Sequence, residues 1–404
     1  MLIILSLQTF QFYINILYME NFIHFGCWNN LNKNGNLKPV MDKLQSRLNN
    51  PDLPEIDFIS VAGDNYYPDK LKPKIKTDGK KKIIKPDLLE MGFDMLPSEP
   101  DIYMILGNHD LETNTNPKKP TLFIRDENTP EDNCKILTTE RELSEKAKNI
   151  EFVMYKELML SGGTLVLMID TSMYTMDAKK YLKCYNKFFN TDDDISEIQT
   201  RQNEWIISTI KENLDNIKHL VLIGHHPISG IKYKKNNEDK LNDIPLFIDV
   251  LQEIYALLSN NVYYYFLCAD LHLYQKGFVY VEEKKERSDS ISKDLNIIPN
   301  TMIIEQHIVG TGGTELDDAL PSQVDEYFDN DRVSYLFDKS IHSNGFLECN
   351  INKDVLNFEF HSADQNIELA GVKSKKTTRR KKKKNKRKFS TQKNKKKRKK
   401  TKNK

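Results

Sequence analysis

Four short apolar runs in this chain stop at the same kinds of residue, and that coincidence limits the fold more than any other feature. Residues 57–62 run into Gly63-Asp64-Asn65-Tyr66-Tyr67, and residues 101–106 into Gly107-Asn108-His109-Asp110. Residues 219–223 run into Gly224-His225-His226-Pro227, and residues 262–268 into Ala269-Asp270-Leu271-His272. Each run is β-prone and has the length of a buried strand. Turn chemistry alone explains a Gly-Asn after a strand. It does not explain four such junctions that all carry carboxylate, amide or imidazole donors.

The segments between these runs supply the helices of an α/β chain. Residues 21–25 alternate and end at Gly26-Cys27-Trp28-Asn29-Asn30; Pro39, Val40, Leu44 and Leu48 then predict an amphipathic helix before the second strand. Gln202, Trp205, Ile206, Ile210, Leu214 and Ile217 predict a helix ahead of the 219–223 strand, and Phe247, Val250, Leu251, Ile254, Leu257 and Leu258 one ahead of the 262–268 strand. Repeated helix-then-strand units line up the strand-end residues on one sheet edge, where α/β folds bind ligands. Residues 164–170 read as a further buried strand. Residues 111–149 are polar with three prolines, Pro117, Pro120 and Pro130, and predict a long loop or lid with a helix near 139–148. Asp192-Asp193-Asp194 reads as a helix start, not as a cation site. Past His272 the pattern turns to strands at 278–281, 302–309, 333–337, 345–351 and 355–361, the last two as a hairpin, which predicts a second sheet. Gly310-Thr311-Gly312-Gly313 lacks a Walker lysine and reads as a loop at a strand end.

Charge is divided sharply along the 404 residues. The formal net charge is +2, yet residues 373–404 hold 21 Lys and Arg and no acid, leaving 39 basic against 58 acidic residues in the remainder, a net of −19. Such a tail cannot bury a core and is expected to be disordered. Its functional reading is binding to nucleic acid or another polyanion, with nuclear targeting beside it; the bland reading is solubility or attachment to the acidic body. Residues 70–85 hold eight lysines and read as a solvated surface insertion, the alternative being a funnel for an anionic substrate beside Asp64. Five cysteines, Cys27, Cys134, Cys184, Cys268 and Cys349, form no CxxC pair and an odd total, which argues against a disulfide framework and a structural zinc and points to a reducing compartment.

The apolar residues 1–18 lack the basic start and the small-residue cleavage site of a secretory signal. Gln8, Gln11 and Asn15 interrupt them, so no stable membrane span is expected, and Met19 is a second possible start with a degenerate signal peptide as the next reading. The expected organisation is a leader over 1–20, one domain over 21–365 and a basic tail over 366–404, in a protein placed inside the cell, with the nucleus open to it, in preference to a secreted one.

Carboxylate oxygen, amide oxygen and imidazole nitrogen on adjacent loops suit a pair of first-row metal ions with one carboxylate bridging them. Here the residues resemble a known family. Gly63-Asp64, Gly107-Asn108-His109-Asp110 and Gly224-His225-His226-Pro227 are similar to the second, third and fourth blocks of the calcineurin-like metallophosphoesterases. Trp28 after the first block, Tyr67 three residues after Asp64, and Ile308-Val309-Gly310-Thr311-Gly312-Gly313 resemble the purple acid phosphatase branch, and the resemblance spans residues 21–361. It implies an α/β fold, a four-layer α/β/β/α sandwich with two mixed sheets, and hydrolysis of a phosphate ester with two divalent or iron-type ions, Fe, Zn or Mn.

Residue by residue, the resemblance implies Asp64 as the bridging carboxylate, Asn108 and His225 on one ion, and Tyr67 and His272 on the other. It implies His109 as the proton donor to the leaving oxygen or as a phosphate ligand, and Asp110 as the group that orients His109. His226 matches a variable position and takes a packing or substrate-side role. Two blocks depart from the pattern. Cys27 stands where the family has Asp, and Asp270 stands where the Gly-His-x-His block has its first histidine. A thiolate and a carboxylate are still metal donors, so the expected ligand set is Cys27, Asp64, Tyr67, Asn108, His225, Asp270 and His272. Two competing readings stay open: an inactive scaffold used as a binding module, and a nucleic-acid phosphodiesterase served by the tail.

Overall fold

Period-two alternation sorts the strand residues between two cores. In the strand Thr164–Met168, Val166 and Met168 enter one core and Leu165 and Leu167 the other; Val221 and Ile223 part from Leu220 and Leu222 in His219–Ile223, and Tyr265 and Leu267 from Tyr264 and Phe266 in Tyr263–Cys268. A sheet with both faces buried needs a layer on each side. The computed structural model, which describes residues 20–31, 35–67, 69–70, 82–84, 86–112, 121–123, 134–234, 237–258, 261–282, 301–321, 327–330, 332–352, 354–364 and 368–371, supplies them.

One sheet has six strands in the order Val355–Ser362, Gly345–Asn352, Asn21–Phe25, Phe58–Ala62, Asp101–Ile105, Ile150–Phe152. Its four last strands are parallel, and the Gly345–Ser362 hairpin joins them antiparallel to Asn21–Phe25. The other sheet runs Tyr327–Asn330, Val333–His342, Tyr274–Glu282, Thr301–Val309, Tyr263–Cys268, His219–Ile223, Thr164–Met168, Lys156–Leu160, and Glu368–Gly371 pairs with Val333–His342. It mixes parallel pairs at its centre with antiparallel pairs on both flanks. Phe25, Val61, Met104 and Phe346 from the first sheet and Val166, Val221, Leu267 and Val309 from the second share the core between them. Helix Leu37–Leu48 adds Val40, Met41 and Leu44 on the first sheet, and helices Ile195–Asn213 and Ile248–Leu258 cover the second through Ile206, Ile210, Leu251 and Ile254. The architecture is the α/β sandwich of two mixed sheets expected from the sequence.

The strands after His272 do not form a sheet of their own. Those over 274–342 extend the second sheet, while the predicted hairpin at 345–362 completes the first. A period-two pattern identifies a strand without naming its neighbour. Helix Lys135–Lys146 begins before the predicted 139–148, and helix Ala178–Phe189 was not foreseen; with Asn108–Glu112 they enclose a third core through Leu111, Leu137, Tyr181 and Tyr185. In that core Cys134 and Cys184 form a disulfide, their Cα atoms 5.4 Å apart. One such pair is not a disulfide framework, and Cys27, Cys268 and Cys349 stay free, but the bond removes the cysteines' argument for a reducing compartment. The two bonded cysteines are fifty residues apart in sequence, and the fold, not a spacing motif, brings them together.

Asp194 caps helix Ile195–Asn213 in a capping box with Glu197, the dipole role expected of that acidic run. Within the lysine-rich stretch, Asp69–Lys70 and Lys82–Ile84 form a small sheet with Thr121–Phe123. The leader 1–18, the tail 373–404, most of the lysine insertion, and residues 113–120 and 124–133 of the predicted lid lie outside the described residues. No helix among the described residues is long and apolar enough to cross a membrane.

Candidate metal centre

Each candidate ligand sits just past the end of a parallel strand, in a loop or, for Asn108, at the start of the short helix Asn108–Glu112, so the sheets gather them at one edge. Cys27 follows Asn21–Phe25, Asp64 and Tyr67 follow Phe58–Ala62, and Asn108 to Asp110 follow Asp101–Ile105. His225 and His226 follow His219–Ile223, and Asp270 and His272 follow Tyr263–Cys268. Cys27, Asp64 and Asp270 all hold left-handed backbones, with φ of 51°, 54° and 60°. Non-glycine residues seldom adopt that region, and functional turns are where they do. Hydrogen bonds fix the turns: Cys27 N donates to Gly63 O at 3.0 Å, Thr314 N to Cys27 O at 3.2 Å, and Gly312 N to Gly26 O at 3.0 Å. The Gly-Thr-Gly-Gly loop is thus a brace for the Cys27 turn. At Gly107 a Cβ would lie 2.4 Å from Asp64 Oδ1 and 2.7 Å from the His225 ring, so only glycine lets these loops close on one another.

The side chains fall into two groups that share Asp64. In one, Tyr67 Oη donates to Asp64 Oδ2 at 2.7 Å and meets His272 Nε2 at 3.1 Å, while Cys27 Sγ lies 3.9 Å from Asp64 Oδ2. In the other, His225 Nε2 is 3.1 Å from Asn108 Oδ1, 3.4 Å from Asp64 Oδ1 and 3.9 Å from Asp270 Oδ1. The donor atoms of Cys27, Asp64 and His272 lie within 4.8 Å of one another, and so do those of His225, His226 and Asp270. His226, expected only to pack or face substrate, therefore belongs to the second group by position.

The proton inventory of both groups fits a cation. His225 Nδ1 is 2.6 Å from Ala62 O and His272 Nδ1 2.9 Å from Glu315 O, contacts that require the proton on Nδ1 and leave Nε2 as the nitrogen turned inward. On His225 that nitrogen faces three oxygens, which accept its proton when the ring is charged and which a cation would share with it when the ring is neutral. On His272 it faces the Tyr67 phenol, which itself donates to Asp64. Two imidazole nitrogens, carboxylates, an amide oxygen, a phenol and a thiol converge, and this mixed N, O and S set suits zinc or iron-type ions.

Burial and charge shape the same groups. Burial would raise the Asp64 pKa, but the His225 and His109 charges and the Tyr67 hydroxyl hold it well below the usual carboxylate range. Burial would lower that of His225, and Asp64 with Asp270 reverses the sign and raises it. The Cys27 thiol is pushed up by burial and then by Asp64, and the Tyr67 phenol by the same two causes. His226 is lowered to about 3 by burial and then by His225.

His109 and Asp110 divide differently from the expectation. The backbone N–H of His109 donates to Asp64 Oδ1 at 2.9 Å, and its ring lies 5.2 Å from that of Tyr67. Asp110 does not bond the His109 ring. Its Oδ1 accepts from Asn65 N at 2.8 Å, and its Oδ2 from Gly107 N at 2.8 Å and Asn65 Nδ2 at 2.9 Å, so it ties the second loop to the third. Burial, then the Asp64 charge, raises its pKa to about 7. The sequence indicated residue types here and not directions.

Other contributors carried no sequence signal. Thr171 Oγ1 accepts from His225 N at 3.0 Å and His226 N at 2.9 Å and sits 3.2 Å from His226 Nδ1, so one hydroxyl orients both histidines. Asp317 Oδ2 accepts from His272 N at 3.0 Å. Both lie in loops without periodicity or motif.

Residues 21–274 match the sequence profile of the family described as calcineurin-like phosphoesterase. No curated protein matches the chain. Among solved structures it is similar to GAP50, the anchor in the inner membrane complex of Plasmodium, at 12% identity and a TM-score of 0.41 over 89% of this chain and 90% of that one. It is similar to purple acid phosphatase PPD1 from yellow lupin (Lupinus luteus) seeds at 12% identity and a TM-score of 0.44, over 87% of this chain and 53% of that one. PhoD follows at 12% identity and a TM-score of 0.45, over 87% and 68%.

Proposed function

Since the chain belongs to the calcineurin-like phosphoesterase family, we propose that it hydrolyses a phosphate ester at a two-ion centre of Fe, Zn or Mn type on these loops. Cys27, Asp64, Tyr67 and His272 would hold one ion, and Asp64, Asn108, His225 and Asp270 the other, with His226 beside the second. Such ions, when bound, supply Lewis-acid activation of water and neutralise phosphoryl charge. Asp64 spans both groups with one oxygen in each. Ala62 and Glu315 carbonyls and the Thr171 hydroxyl keep the imidazoles aimed before substrate arrives. His109, whose backbone is tied to Asp64, donates a proton to the leaving oxygen or binds phosphate.

The observation that carries this reading is the pair of imidazoles whose Nδ1 protons are spent on backbone carbonyls while both Nε2 atoms face acceptors. Zinc-loaded full-length protein is expected to hydrolyse a generic aryl phosphate, weakly, because Cys27 and Asp270 make the centre more negative than the family pattern and reduce its pull on phosphate. Metal binding without turnover of aryl monoester or diester would favour the second reading, an inactive scaffold, which the two altered ligands support. The 373–404 tail is proposed as a polyanion-binding arm, and salt-sensitive cleavage of DNA or RNA would mark a nucleic-acid phosphodiesterase.

A further inference from the structure

The hairpin Gly230–Lys234 with Asn237–Leu241 follows the His225-His226 turn and carries Lys232 to the Asp317 carboxylate that holds the His272 loop. Lys232 Nζ lies 3.3 Å from Asp317 Oδ2, with the two side chains 28% and 16% exposed. The same carboxylate oxygen accepts the His272 backbone N–H. Burial would lower the Lys232 pKa, but Asp317 first, then Asp270, and in smaller part Cys27, outweigh it and keep the ammonium charged. Asp243, two residues past the hairpin, is raised to about 7 by burial and then by Asp270, against an opposing effect of Lys232. The lysine thus stands among carboxylates that belong to the centre or border it.

Its backbone is held unusually firmly. Gln275 Oε1 accepts from Ile231 N and Gln275 Nε2 donates to Ile231 O, both at 2.9 Å, and Gln306 Oε1 accepts from Ile228 N at 2.9 Å. Both glutamines are fully buried. Two amide side chains rising from the neighbouring sheet therefore clamp the turn on which Lys232 begins. A surface lysine needs no such support. A recognition group does, because a fixed root lowers the entropy lost when the ammonium engages a ligand.

We propose that Lys232 binds the phosphate of the substrate: its ammonium donates a hydrogen bond to a phosphate oxygen beside the His272 loop, while Asp317 goes on holding that loop. The inference rests on the phosphoesterase reading and answers a difficulty within it. A centre made more negative than the family pattern by Asp270 in place of a histidine repels a phosphate anion, and a lysine held at Asp317, beside the His272 loop, restores the attraction from the protein side.

The test uses the full-length chain loaded with zinc, with inorganic phosphate titrated calorimetrically and metal content measured on the same samples. Lys232→Met is expected to keep the wild-type metal content and bind phosphate about 10–100-fold more weakly, the loss of one charge-assisted hydrogen bond. Lys232→Arg is expected to recover most of that affinity. Metal-loaded Lys232→Met that binds phosphate as the wild type does overturns the proposal and leaves the phosphoesterase reading standing. Loss of metal in Lys232→Met also overturns it, since the lysine would then support the ligand loop. A wild type that binds no metal contradicts the phosphoesterase reading and the proposal together.

Discussion

A left-handed backbone at a non-glycine residue costs about 1–3 kcal/mol. Cys27, Asp64 and Asp270 all adopt it, Cys27 and Asp64 offering donors to the first group and Asp270 to the second. Glycine at each position would relieve the cost but remove the donor, so the strain is explained by what the side chains hold. His109 shows the converse arrangement, in which the backbone and the ring have separate tasks. Its N–H supports Asp64, so His109→Asn keeps that hydrogen bond and removes only the imidazole. The variant is expected to keep its metal and lose about 10²–10⁴-fold in turnover, as removal of a general acid does. An aryl phosphatase rate equal to the wild type would remove His109 from that role. Asp110 shows why residue type is a partial guide: its position beside His109 in sequence suggested a partner, but its oxygens are taken by Asn65 and Gly107.

At the level of elements, the strand-to-loop junctions were legible because an apolar run followed by Gly and a polar donor marks both the strand and its end. The partner of each strand is not legible, so the sequence predicts the hairpin and a second sheet without showing that the hairpin completes the first. Its place beside Asn21–Phe25 is secured by a contact that pattern reading cannot supply. Arg47 in helix Leu37–Leu48 donates to both oxygens of Glu348 at 2.7 Å, and His361 Nε2 lies 3.0 Å from Glu348 Oε2. Burial would raise the Glu348 pKa, but the His361 and Arg47 hydrogen bonds hold it at about 2 against 4.5 for an unperturbed glutamate. A folded-state value below the unfolded one means that this stabilisation is complete above pH 4.5 and is lost as pH falls toward 2. Glu348→Ala, which strands a buried arginine, is expected to cost about 3–5 kcal/mol at neutral pH. It is also expected to flatten the acid side of the stability profile, and urea unfolding across pH 2–7 reads both effects. An unchanged slope between pH 4.5 and 2 would show that other carboxylates set it. Lys232 and Thr171 escaped the sequence reading for a related reason: a polar hairpin and a non-periodic loop carry no signal of where the sheets will deliver them.

On the scale of the whole molecule, the chain joins an acidic body of net −19 to a run with 21 basic residues in its last 32. Deleting residues 373–404 is expected to leave hydrolysis of small aryl phosphates unchanged and to abolish salt-sensitive retention on DNA, because counterion release scales with the cationic residues that contact phosphate. Equal retention of the truncated protein would place the polyanion contact on the body. The disulfide between Cys134 and Cys184 closes a loop behind the Asn108-His109 turn and belongs to the same folded body. The strand ends of both sheets converge on the two donor groups that share Asp64. Their most direct test is the metal content of the full-length wild type, of Cys27→Ser, and of the double variant Cys27→Asp with Asp270→His. About two ions per chain are expected in the wild type, one fewer in Cys27→Ser, and no fewer than the wild type in the double variant. A wild type without metal, beside a double variant that gains both metal and turnover, would contradict the two-ion reading.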